Sequence, residues 1–168
     1  MIDWVRTVVM LVAVVLLERG CWARPSRDVI TPWLTCIDCP NGQLDSVKAA
    51  YARDTTGVGD ALLQDAIRGP QGADSLWVWD DLTRAMRRDS VWIAQRPHLP
   101  PLTSPSQRAQ MYFRAYRNTW RARATVALAV LKDPRACVVV DSLSAPADTA
   151  SAMIRAALRM ARDSLPGC

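Results

Sequence analysis

The sequence predicts an all-α fold, and three observations carry that reading. Eleven prolines against seven glycines suit helices punctuated by stiff turns better than a β-sandwich with tight hairpins. From Leu44 onward, apolar residues recur at three- and four-residue intervals, the period of a helix with one buried face. Ser104-Pro105-Ser106-Gln107 has the form of a capping box with proline at the first helical position. It opens a stretch to Leu131 that holds neither proline nor glycine.

The elements follow in order. Residues 24–43 carry Pro25, Pro32, Pro40 and Gly42 with little periodicity and read as a linker. Leu44, Val47 and Tyr51 mark a short helix, and Asp54 to Gly59 a turn. Leu62, Leu63, Ala66 and Ile67 form a second stripe, stopped by Gly69-Pro70. Asp74 or Ser75 is expected to cap a third helix, with Leu76, Trp79, Leu82 or Thr83, and Met86 facing inward. Its outer face carries Asp80, Asp81, Arg84, Arg87 and Arg88, and Val91, Trp92 and Ile93 extend or follow it. Gln95 to Pro105 is a proline-rich loop that contains His98. Tyr112, Tyr116, Trp120, Ala124, Ala127 and Leu131 keep helical spacing through one long helix or two joined near Thr119. Lys132-Asp133-Pro134 breaks that pattern and caps the next helix, over residues 136 to 143, in spite of its valine run. Ala145-Pro146 opens the last helix, with Ile154, Leu158, Ala161 and Leu165 on one stripe.

The 168 residues amount to one helical domain, residues 44–168, behind two shorter segments. Residues 1–23 read as a secretory signal peptide or an N-terminal anchor. Arg6 precedes an eleven-residue apolar run, Thr7 to Leu17, which is short of the roughly 20 residues of a spanning helix. A cut after Ala23 suits the small residues Cys21 and Ala23, while Gly20-Cys21 raises lipidation of Cys21. Glu18-Arg19 fit poorly upstream of a lipidation site, and Arg19, Arg24 and Arg27 oppose translocation. The expected location is extracytoplasmic, with a cytoplasmic core helix as the alternative. Membrane association would run through the N-terminus.

In an exported chain, Cys36, Cys39, Cys137 and Cys168 form an even set that favours disulfides. The expected pairing is Cys36 with Cys39, or a bridge from this segment to the distal cysteines. Cys36-Ile37-Asp38-Cys39 also has the spacing of a redox dithiol, in which a helix start lowers a thiol pKa. A metal site using the same cysteines lacks the short spacing in its distal pair. Covalent haem is excluded, because Pro40 stands where histidine is required.

Nineteen arginines, two lysines and 16 acids give a net charge of +5. Arg114, Arg117 and Arg121 lie at i, i+3 and i+7, with Arg108 upstream and Tyr112 and Trp120 nearby. Arginines beside aromatics suit polyanions, lipid headgroups or cell-wall anions before nucleic acid if the chain is exported. The lone His98 excludes mechanisms that need two histidines. Paired carboxylates, a phosphate-cradling glycine loop and a nucleophile elbow are all missing. No catalytic residue, cofactor or metal is therefore expected.

Trp120 to Ala136, with Arg121 before an alanine-rich stripe, Ala127-Leu128-Ala129, and the Asp133-Pro134 turn, resembles the second helix and turn of a HEAT repeat. Residues 134–164 are similar to a following hairpin and residues 44–69 to a degenerate earlier one. The resemblance implies a short stack of antiparallel helical hairpins that buries apolar faces on its neighbours. It also implies a non-enzymatic scaffold that binds a protein partner. Trp79 is expected in the core. Trp77 and Trp92 are the aromatics expected on a binding surface.

Overall fold

The structure, a computed structural model, describes residues 25–36, 41–96, 103–143 and 151–168. Among the described residues there are seven helices and no strand. They are α1 (Pro25–Thr35), α2 (Asn41–Arg53), α3 (Thr55–Arg68), α4 (Ala73–Ala94), α5 (Pro105–Val130), α6 (Arg135–Ser142) and α7 (Ala152–Ser164). None of them is long and apolar enough to cross a membrane. The N-terminal segment with Cys21, and also Cys39 and His98, lie outside the described residues.

The 26-residue α5 is the axis of the fold. Its capping box forms as the sequence predicts: the Ser104 hydroxyl accepts from the Gln107 amide at 3.3 Å, and the Gln107 side chain accepts from the Ser104 amide. Two of the orphan donors at the helix start are thereby satisfied. Trp120, Ala122, Ala124, Thr125, Ala127, Leu128 and Ala129 are buried along its second half. Alanine leaves little side-chain bulk on that face, so neighbouring helices approach closely. α1, α3, α4, α6 and α7 all pack on α5. The core gathers Ile30, Leu34, Val47, Val58 and Leu62 from the first three helices, and Val139, Val140, Ile154 and Leu158 from the last two.

Several boundaries differ from the sequence expectation. Residues 25–35 are helical rather than linker. Pro25 opens the helix, where its missing N–H costs nothing, and Ile30 and Leu34 are fully buried on one stripe. That burial outweighs the hydrogen bond lost at Pro32 inside the helix. The expected turn at Asp54–Gly59 shrinks to Asp54, whose carboxylate accepts from the Gly57 amide at 2.8 Å and starts α3. Gly72, not Asp74 or Ser75, precedes α4. The last helix starts at Ala152, and Ala145-Pro146 falls outside the described residues. α3 does stop at Gly69, at φ 76°, where glycine avoids the steric penalty of a left-handed residue.

Candidate interaction surface

α4 is built differently from the other long helix. Among the described helices its packing is on α5, to which it runs antiparallel, with an ion pair from Arg27 of α1 at its first turn, and Val78 is its one buried residue. Trp79 meets Phe113 edge-to-face at 5.7 Å, the preferred geometry of an aromatic pair. Further along, the buried Arg108 guanidinium donates to the Met86 carbonyl at 2.7 Å and the Ser90 hydroxyl at 2.9 Å. Arg108 is therefore a tie between α4 and α5, not part of a basic surface.

The opposite face of α4 points to solvent. Trp77 is 67% exposed and Trp92 52%, as the sequence predicts, with Val91 beside Trp92 at 61%. Leu76, expected inward, is 67% exposed; α4 begins earlier than expected, and Val78 takes the inward position. The charges between these apolar ends are graded. Asp80 and Asp81 come first and Arg84, Arg87 and Arg88 follow, with the exposed Asp89 the one acid beyond them, a balance that suits the helix macrodipole. Arg84 reaches Asp81 at 3.7 Å. Past the helix end, the Arg96 guanidinium stacks 3.7 Å from the Trp92 ring centroid, a cation–π contact. Arg87, Arg88, Val91, Trp92 and Gln95 line a shallow concavity at this end.

The arginine stripe of α5 has a different use from the one its spacing implies. Arg121 is buried, and its Nε donates to the Ala66 carbonyl at 3.2 Å. Arg117 Nε donates to the Arg68 carbonyl, also at 3.2 Å. Both cations sit on the last turn of α3, where carbonyls lack intrahelical partners and the dipole is negative. Arg114, Arg117 and Tyr112 remain exposed, while Trp120 is buried. No continuous basic-aromatic stripe results, because Arg108, Arg121 and Trp120 are buried.

Two buried carboxylates were not visible as a site in the sequence. Asp65 on α3 is fully buried, and Arg27 Nη2 stands 3.2 Å from its Oδ1. Arg27 also pairs with Asp74 at 3.3 Å, joining α1 to the start of α4. Burial pushes the Asp65 carboxyl up to about 6, against the pull of Arg27 and the Trp120 indole. Burial, with the Asp74 and Asp65 charges, likewise pushes Tyr116 up to about 12. A shifted carboxyl is the usual mark of an acid–base site, but Asp65 has no surface open to a substrate. It works as a joint between helices. Asp133, also buried, accepts from the Arg135 amide and from Arg135 Nη1, each at 2.8 Å. Arg135 extends to Asp60 at 3.0 Å, holding the turn before α6 against α3. This network packs directly over Gly59, where an added Cβ would stand 2.7 Å from Asp133 Oδ2.

Cys137 and Cys168 form a disulfide, S–S 2.08 Å, that ties α6 to the end of the chain. A bridge from the N-terminal cysteines to the distal pair is thereby excluded, because α6 and the end of α7 bring the two distal cysteines together. The same bond removes two thiols from a four-cysteine metal site. Cys36 is itself disulfide-bonded, to a partner outside the described residues. It follows the C-terminal end of α1 rather than opening a helix, so the helix start expected for a redox dithiol is not where Cys36 lies. Among the described residues no three His, Cys, Asp or Glu side chains converge to hold a metal ion.

No protein family matches the chain, and neither a curated protein nor a solved structure is similar to it at a significant level.

Proposed function

We propose that this chain is a non-enzymatic helical module of the cell envelope that binds a protein partner through the outward face of α4. The observation that carries the reading is the one-sided packing of α4, with Trp77 and Trp92 exposed on its free face. Tryptophan and arginine are the residues most enriched where interfaces concentrate binding energy. Clusters of exposed apolar residues on a soluble surface mark interaction sites. The HEAT-like reading is favoured by α5, the Asp133-Pro134 turn and α6, which fall where the resemblance places a helix, its turn and the next helix. Export is favoured by the Cys137–Cys168 bond, since disulfides persist in oxidising compartments.

The test is site-specific photo-crosslinking in the native host, with the photoreactive residue placed at position 77 or 92. A discrete adduct from both positions, and none from the exposed Val138 on α6, is the expected result. Equal, diffuse labelling from all three positions would overturn the reading.

A further inference from the structure

We propose that the partner of the α4 face is a second copy of this chain, its α4 lying antiparallel across a two-fold axis near Arg84. The proposal rests on reading α4 as a docking element and names what docks there. It is carried by a symmetry in the residues of α4. Leu76 and Trp77 stand as far before Arg84 as Val91 and Trp92 stand after it. Asp80 and Asp81 likewise mirror Arg87 and Arg88. A two-fold axis through an antiparallel pair places the N-terminal half of one helix opposite the C-terminal half of the other. Each acidic pair then faces a basic pair, and each apolar end faces an apolar end.

The helical rotation brings these groups to the same sides of the seam. At 3.6 residues per turn, Arg84 lies at the middle of the exposed arc. Asp80 and Arg87 fall on one flank, Asp81 and Arg88 on the other. The axis keeps each flank on its own side, so Asp80 meets Arg87 of the second copy and Asp81 meets Arg88. Trp77 lands between Val91 and Trp92 of that copy, and Leu76 against its Val91. The two Arg84 side chains approach the axis, each already paired with its own Asp81 at 3.7 Å.

Parallel pairing has neither property: it sets acid on acid and arginine on arginine, which repels. The apolar ends supply contact area and the charges set the direction, the division of labour of an antiparallel coiled-coil pair. One helix pair is at the small end of specific interfaces, so the affinity expected is on the order of micromolar.

Sedimentation equilibrium of the full chain tests this with charge-reversed variants. The unaltered protein is expected to show a monomer–dimer equilibrium. Asp80→Arg with Asp81→Arg, and separately Arg87→Asp with Arg88→Asp, should each weaken it at least about tenfold. An equimolar mixture of the two variants should dimerise again, because at positions 80, 81, 87 and 88 one chain then presents arginine and the other aspartate. That rescue separates lost pairing from lost folding. A chain that stays monomeric at millimolar concentration overturns the proposal, as does association that ignores both reversals. If the adduct from positions 77 and 92 in the host is a different protein, the second copy is wrong and the docking reading stands. An adduct of twice the chain mass supports both.

Discussion

Asp65 is the residue whose environment departs furthest from what its letter implies. Within the stripe Leu62, Leu63, Ala66 and Ile67, an aspartate reads as a surface interruption. In the fold it is sealed between α1, α3 and α5, with Arg27 supplied from 38 positions earlier in the chain. Local spacing cannot show a partner that distant. The consequence is measurable. The folded carboxyl titrates near 6 and the unfolded one near 3.8, so the folded state holds the extra proton between those values. Stability from this group is therefore fully present below about pH 4 and falls as pH rises towards 6, by up to about 3 kcal/mol. Urea unfolding from pH 4 to 7 should show this loss in the unaltered protein and not in Asp65→Asn. Parallel pH profiles would contradict the assignment. Asp133 is the instructive contrast. Its place before Pro134 marked it as a turn residue in the sequence, and it does cap the start of α6 through the Arg135 amide. Its burial depends on Gly59, a contact that only the folded chain reveals.

The helices were legible wherever one buried face repeats and a cap stands at the start. α5 met both conditions: its capping box and its end at the Leu131 cap match the reading, and it runs as one helix where the spacing allowed one or two. α6 resisted its valine run because the Asp133-Pro134 turn outweighs β propensity over eight residues. α1 was missed because two prolines in eleven residues look like a linker, although Ile30 and Leu34 hold the spacing of a buried stripe. The register of α4 was missed by part of a turn, which moved Leu76 to solvent. At this scale the Cys137–Cys168 bond carries a second expected outcome. It closes a segment with a sequence separation of 31, and the chain-entropy account gives about 3–4 kcal/mol for a loop of that size. Replacing both cysteines by serine should lower the unfolding free energy by that order in denaturant titrations. A loss below about 1 kcal/mol would mean that helix packing alone holds α7 in place.

For the molecule as a whole, the all-α class and the exposure of Trp77 and Trp92 were readable in the sequence; the arrangement was not. Five helices pack on α5, which local spacing does not show, and that wrapping explains the arginines. Arg114, Arg117 and Arg121, with Arg108 upstream, look like a binding stripe, but Arg108 and Arg121 are buried as ties to α4 and α3, and Arg117 also donates to the end of α3. The surface proposed for recognition is therefore on α4, whose helix packing is on α5.

On the proposed reading, α4 is anchored on one face and gains its second face by association. Hydrogen–deuterium exchange of the full chain at low and high protein concentration tests it most directly, since elements with few packed neighbours open most readily. At low concentration, amides of residues 73–94 should exchange faster than those of residues 120–130. Raising the concentration should slow residues 73–94 and leave residues 120–130 unchanged. If α4 is as protected as the second half of α5 at every concentration, it is not a free-faced element, and the account fails.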